Sequence, residues 1–159
     1  MNSIKSILYP LVITFFGVIC YLLLVFLEVT WVYNAVTPLS GPIEQWIPGF
    51  QEFGTYGIIV AWFAAVLWFV FAHWILKVNK FGQAGKRVVW ALFTMLALLP
   101  VVVFSILQSL QSPLQEGMLV PPLIYLLNFI ITFYLATLLF SPSAFKYAPV
   151  LAKAVRRWW

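Results

Sequence analysis

The chain has 159 residues, of which 64% are hydrophobic, 19% aromatic and only 8% charged, with a net charge of +5. Soluble globular domains carry about 25% charged residues, so this composition excludes an ordinary water-soluble domain and predicts a chain embedded in lipid. Aspartate is absent, and the single cysteine, Cys20, excludes an internal disulfide and any paired-cysteine metal or redox site within one chain.

Four apolar runs reach the length of about 20 residues that a bilayer core requires. They cover approximately residues 7–33, 56–76, 88–110 and 119–140. The first run is too long for the apolar region of a secretory signal and no small-residue cleavage site follows it, so it is predicted to be a membrane span. The sequence therefore predicts an all-α, polytopic membrane protein, with a bundle of four transmembrane helices over residues 1–142 and a separate tail over residues 143–159.

The basic residues predict the orientation of this bundle. They lie only before the first run, between the second and third runs, and after the fourth: Lys5, Lys77, Lys80, Lys86, Arg87, Lys146, Lys153, Arg156 and Arg157. The other two loops, 34–55 and 111–118, contain glutamates but no cation. Because basic loops stay on the cytoplasmic side, both termini are predicted to be cytoplasmic, and a bacterial inner membrane is the expected location.

In the first external loop, prolines and glycines argue against a long helix. The same loop carries the large apolar residues Trp46, Phe50 and Phe53, which are too apolar for free solvation. Two interpretations are open. The loop either folds back on the bundle and the outer leaflet, or it forms a docking surface for an external partner.

The second run contains small residues at every fourth position, Gly57, Ala61 and Ala65, which we call the small-residue seam. Such residues share a helix face and allow another helix backbone to approach closely. The neighbouring helix is either part of the same bundle or belongs to a second copy of the chain.

The third and fourth runs carry a proline and several polar residues. Pro100 predicts a kink or hinge in the third span. Asn128 and Thr132 lie one turn apart on the fourth span and are predicted to hydrogen-bond to a neighbouring helix, with Gln108 as a candidate partner. The alternative is that Asn128 lines a polar path in an oligomer.

The tail after the fourth run has helical periodicity. Apolar residues recur along one helical stripe from Tyr147 to Trp158. Basic residues and terminal tryptophans accompany them: Lys146, Lys153, Arg156, Arg157, Trp158 and Trp159. This pattern predicts an amphipathic helix in the cytoplasmic interface, attracted by anionic lipid, and no nucleic-acid partner is expected.

Few residues in the chain could support chemistry. His73 is the sole histidine, and Glu28 is the only carboxylate within a predicted span, near its outer end. Catalysis by a nucleophile with a base, or by a metal held in carboxylates, needs more groups than these. No catalytic residue, metal site or cofactor is therefore expected, although an enzyme subunit that handles a lipid or cofactor through His73 and Glu28 is one alternative.

These observations predict a non-catalytic inner-membrane subunit that scaffolds or anchors a larger multiprotein assembly. Small four-span proteins with short loops are common among accessory subunits of secretion, conjugation, respiratory and defence assemblies, and this association rests on size and topology alone. The main alternative is a self-assembling homo-oligomer that forms a pore or senses membrane disturbance. The expected partners are accordingly the bilayer and either other membrane subunits or copies of the same chain.

Overall fold

A computed structural model describes residues 3–28, 30–31, 43–75, 82–111, 120–141, 145 and 147–155 of the protein. Helix α1 covers Ser3–Leu23, α2 covers Ile43–Val70 and α3 covers Gln83–Gln111. Helix α4 has three consecutive parts: α-helical Val120–Phe129, π-helical Ile130–Leu135 and α-helical Ala136–Phe140. A single turn of helix, α5, covers Ala152–Val155.

The prediction of an all-helical protein with four potential membrane spans is confirmed. Four helices are long and apolar enough to cross a membrane, over Leu8–Leu27, Ile47–His73, Gln83–Gln108 and Val120–Phe140. Within the described ranges all regular structure is helical. A helix satisfies its backbone hydrogen bonds internally, which is the physical reason that such apolar runs adopt this structure in lipid.

Helix α2 is the centre of the bundle. It packs against α1, α3 and all three parts of α4. Its inward face combines large rings with alanines, and the alanines allow the neighbouring helices to approach closely. The buried residues of this face are Phe50, Ile58, Ala61, Ala64, Ala65, Trp68 and Phe69. By contrast, α1 and α3 bury only 22% of their spans within the protein and present apolar outer faces.

The second helix is longer than the sequence predicts. It begins at Ile43 rather than near residue 56, and it contains Pro48. Packing explains the difference, because Ile47, Phe50 and Phe53 all belong to or contact the buried core. Tertiary contacts therefore hold the helix through a segment whose prolines and glycines locally disfavour it.

Three π-helical turns, which no sequence pattern predicts, follow or interrupt the helices. Leu24–Glu28 follows α1, Phe71–Ile75 follows α2, and Ile130–Leu135 lies inside α4. A π-helical turn closes with one more residue than an α-helical turn, so residues five apart come towards the same face. In α4 this geometry accompanies the burial of both Thr132 and Thr137.

Candidate functional site

The clearest polar contacts join α2 and α3 to the end of α4. The indole Nε1 of Trp68 donates to Ser141 Oγ at 3.0 Å, and that of Trp90 donates to Thr137 Oγ1 at 3.1 Å. The Thr137 hydroxyl in turn donates to the carbonyl of Tyr134 at 3.1 Å. We call Trp68 and Trp90 the indole anchors. No sequence pattern predicts these anchors, because nothing local distinguishes the two from the other tryptophans of the chain.

The described part of the tail is attached to the bundle below these anchors. The ring of Phe145 packs edge-on against Trp68 at 5.4 Å between centroids, and Lys86 Nζ lies 5.6 Å from the Phe145 centroid. Two backbone carbonyls of the tail accept hydrogen bonds, that of Tyr147 from Gln83 Nε2 at 3.1 Å and that of Val150 from the Tyr134 hydroxyl. The tail therefore contacts α2, the start of α3 and α4.

The tail does not form one helix from Tyr147 onward. Leu151 adopts a φ of 65°, which interrupts a right-handed helix, and only Ala152–Val155 is helical. The buried tail residues are Phe145, Ala148, Pro149 and Ala152, whereas Val150, Leu151, Lys153 and Ala154 are exposed. Burial of Phe145 and Ala148 against the bundle thus sets the local course of the chain. Lys146, Arg156, Arg157, Trp158 and Trp159 lie outside the described residues.

The small-residue seam is divided by the structure. Ala61 and Ala65 are buried inside the bundle, but Gly57 is half-buried, and a Cβ built on it would meet no atom within 4 Å beyond its own turn of helix. The tight approach occurs at Gly54 instead, where a Cβ would lie 2.8 Å from both methyl carbons of Leu24. Helical geometry explains this, since Gly54 lies between Ala61 and Ala65 around the helix axis, about 20° from each, whereas Gly57 lies about 40° from Ala61 and about 80° from Ala65.

The predicted intramembrane polar residues are all buried but are not all brought together. Asn128 and Thr132 lie in α4, and Cys20 of α1 contacts the Asn128 carbonyl with its sulfur at 4.0 Å. Neither polar side-chain atom of Gln108 has a hydrogen-bond partner among the described residues. Because Trp90 is level with Thr137 in the antiparallel pair, Gln108 lies about 13 Å from Asn128 along the bundle. Gln108 is therefore not the partner of Asn128.

Pro100 is buried within α3, and the helix continues on both sides of it. The structure thus accommodates the proline without ending the helix. The bend or hinge that the sequence suggests at this position stays a prediction.

His73 and Glu28 lie at opposite ends of the bundle. The His73 ring packs against Phe69 in a tilted geometry, with 3.9 Å between ring centroids, and it contacts Tyr9 near the start of α1. Its Nδ1 lies 3.0 Å from the Phe69 carbonyl. Glu28 ends the π-helical turn after α1, and its side chain lies outside the described part of the structure. These two residues therefore do not form one site within a single chain.

The aromatic residues predicted for an external loop lie in α2 and pack inward. Phe50 is fully buried and stacks on Tyr125 at 5.5 Å, and the Tyr125 hydroxyl donates to the Phe50 carbonyl at 3.1 Å. Phe53 stacks on Phe104 at 5.3 Å. The side chain of Trp46 is not among those described. For Phe50 and Phe53, these contacts correspond to packing on the bundle rather than to an open docking surface.

The described residues contain no group of three or more His, Cys, Asp or Glu side chains that could hold a metal ion. No protein-family model matches the chain, and comparisons with curated proteins and with solved structures also give no match.

Proposed function

We propose that the protein is a non-catalytic membrane subunit that anchors or scaffolds a larger protein assembly, of the secretion, conjugation, respiratory or defence type. The observation that supports this most is the regular spacing of exposed apolar residues on the outer face of α3. From Val88 onward its described exposed residues are apolar, and seven of them recur every three or four positions: Val88, Leu92, Met95, Leu99, Val102, Ile106 and Leu110. We call this surface the α3 ridge. Such spacing is the one by which helices interlock side by side.

The burial pattern favours a scaffold over a pore. A homo-oligomeric pore would need Asn128, Thr132 or the small-residue seam to face an axis shared between copies. Asn128 and Thr132 are at most 2% exposed, and Ala61 and Ala65 are equally enclosed by the same chain. Their packing within one bundle leaves no described polar stripe on the lipid-facing surface to line a conducting path.

Purification from the native membrane tests this proposal. We expect the protein at endogenous level, extracted in mild detergent, to carry other membrane proteins in a fixed ratio. A tryptophan at Leu99 on the α3 ridge should reduce that recovery, because the added volume separates interlocked helices. The matched control is Phe15→Trp on the outer face of α1, where the native residue is equally exposed at 62% and recovery should be unchanged. A discrete homo-oligomer without other proteins would contradict the proposal.

The orientation and location belong to the same proposal. Segregation of every lysine and arginine to three regions of the chain supports cytoplasmic termini in a bacterial inner membrane. The exposed Val150 and Leu151, with Lys153 beside them, support contact of the tail with the anionic cytoplasmic leaflet. That contact is disproved if anionic lipid is not enriched in the purified protein.

Cysteine labelling in intact cells tests the orientation. Cys20 is buried and is expected to be unreactive, so single cysteines can be added directly. A membrane-impermeant thiol reagent should label Glu116→Cys, in the loop 111–118, without lysis. It should label Ala84→Cys, an exposed position at the start of α3, only after the membrane is opened. The reverse pattern would show that the bundle is inverted.

A further inference from the structure

A groove on the outside of the bundle separates α1 from α2. Its inner part has a volume of about 270 Å³, and its lining includes Gly17, Val18, Ile58, Ile59 and Trp62. Val18 and Ile59 are about half exposed, so the groove opens towards the surrounding lipid. Gly17 forms part of its floor, where a Cβ would lie 3.3 Å from Trp62 Cδ1.

The inner part of the groove offers only hydrocarbon to a ligand. Three hydroxyl-bearing residues line it. Two are engaged with backbone carbonyls, Thr14 with that of Pro10 at 2.9 Å and Thr55 with that of Gln51 at 2.7 Å, and the third, Tyr21, also lines the outer part. The Trp62 indole donates to the Thr14 hydroxyl at 3.1 Å. Because the two threonine hydroxyls and the Trp62 indole have hydrogen-bond partners within the protein, an apolar chain can cover them without leaving one of them unpaired.

The outer part of the groove adjoins the inner part and carries polar groups in a lining that is otherwise apolar. Tyr21 and Thr55 line both parts, and the outer part, about 320 Å³, is also lined by Gln51, Glu52 and Tyr56. The Tyr56 hydroxyl donates to Glu52 Oε1 at 3.3 Å. The mouth therefore presents a carboxylate, a phenol and an amide next to an apolar channel.

Among the described residues, no cation lies beside the Glu52 carboxylate at this mouth. The basic residues whose side chains the structure describes are Lys86, Arg87 and Lys153. They lie near the other end of the bundle, where Lys86 covers the ring of Phe145. The carboxylate of Glu52 is thus available to a positively charged group that arrives from outside the chain.

The length of the groove matches one leaflet of a bilayer. Glu52 and Trp62 are ten residues apart on α2, which corresponds to about 15 Å of helix. A bilayer hydrocarbon core is about 30 Å thick, so the groove reaches from the interface to about the midplane. Trp62 also lies near the middle of the span Ile47–His73.

We propose that this groove binds a phospholipid with a primary-amine headgroup, with one acyl chain along Val18, Ile59 and Trp62 and the ammonium at Glu52. The side-chain amide of Gln51 lines the same mouth and can donate to the headgroup phosphate. The Tyr56 hydroxyl, which already donates to Glu52, can accept from the ammonium. The apolar channel selects a chain in preference to a soluble amine, and the carboxylate selects an ammonium in preference to an anionic glycerol headgroup.

Native mass spectrometry of the full-length protein tests the proposal. The probe is an equimolar mixture of ethanolamine-headed and glycerol-headed phospholipids with identical acyl chains. We expect wild type to retain one more lipid per chain than Val18→Trp, in which the indole fills the groove from its exposed wall. Val103→Trp on α3, at a valine of similar exposure that lies outside the α3 ridge, is the matched control and should bind as wild type does. Because lipid bound elsewhere, including at the basic tail, is present in every variant, the difference between wild type and Val18→Trp reports the lipid in the groove alone.

The headgroup preference has its own test. The lipid lost in Val18→Trp should favour the ethanolamine headgroup by about threefold, the effect expected of one exposed ion pair. Glu52→Gln should abolish that preference while retaining the lipid, and Glu52→Lys should reverse it. Equal amounts of the two headgroups in the lipid that Val18→Trp loses would overturn the proposal. So would a Val18→Trp variant that loses a second copy of the chain instead of a lipid, since the groove would then be a protein interface.

Discussion

Trp68→Ala is expected to lower the free energy of unfolding by about 3–5 kcal/mol, the range for deletion of a large buried ring. The indole is 1% exposed, packs against Phe93 and Phe145, and donates to Ser141 Oγ. Its removal leaves a cavity where α2, α4 and the tail meet, and lipid tails cannot fill a void enclosed by protein. Unfolding of the purified protein by titration with a denaturing detergent, followed by circular dichroism, measures the change.

Two controls separate packing from hydrogen bonding at this site. Trp68→Phe keeps an aromatic ring but removes the donor, and it should cost only about 1 kcal/mol beyond any loss of volume. Phe63→Ala on the same helix removes a ring that is half exposed on the lipid-facing side, and it should cost about 0.5 kcal/mol or less. If Phe63→Ala is as costly as Trp68→Ala, the indole anchor is not a centre of stability.

Ala65→Leu is expected to destabilise the bundle by about 1–3 kcal/mol, whereas Gly57→Leu should not destabilise it. Ala65 is fully buried on the inward face of α2, so added methylene groups push against neighbouring helices. Open space surrounds a Cβ at Gly57. Replacing glycine with a residue of higher helix propensity stabilises the helix by up to about 1 kcal/mol. The same detergent titration, applied to both variants, measures the difference.

Gly57→Leu also distinguishes the two interpretations of the small-residue seam, packing within one bundle and contact between two copies of the chain. If Gly57, Ala61 and Ala65 formed one contact between copies, Gly57→Leu would lower the oligomer's mass in mild detergent while leaving monomer stability intact. We expect no change in mass for Gly57→Leu, because the two alanines are enclosed within one chain and the glycine is not aligned with them. Dissociation caused by Gly57→Leu would restore the pore hypothesis.

Sequence periodicity predicted the presence of the helices better than their boundaries. Apolar length identified all four spans, because lipid requires a long, internally hydrogen-bonded segment. It did not predict the start of α2, since Pro48 and its neighbouring glycines indicate a loop locally, and the rings of Phe50 and Phe53 find their partners on α4 and α3. For the tail, periodicity suggested a helix that Leu151, with a φ of 65°, interrupts.

Residue spacing also identified polar and small residues that are buried, but not the contacts they make. Asn128, Thr132 and Gln108 are all in the interior, yet the antiparallel register separates Gln108 from the other two. The small-residue motif included Gly57, whereas close contact occurs at Gly54. A motif in one helix carries no information about the register of the helix opposite, and a four-residue repeat drifts around a helix of 3.6 residues per turn.

The sequence by itself determined that this is a helical protein with four potential spans, because hydrophobic length and backbone hydrogen bonding are properties of each segment alone. Only the tertiary structure decided which helix occupies the centre, which tryptophans serve as anchors, and where a lipid-facing groove opens. Those features depend on residues far apart in the chain, such as Trp68 and Ser141, which are 73 positions apart. Many helix faces in this chain are apolar, so hydrophobicity alone does not decide which face packs inside the bundle. Close packing and the pairing of buried polar groups decide it.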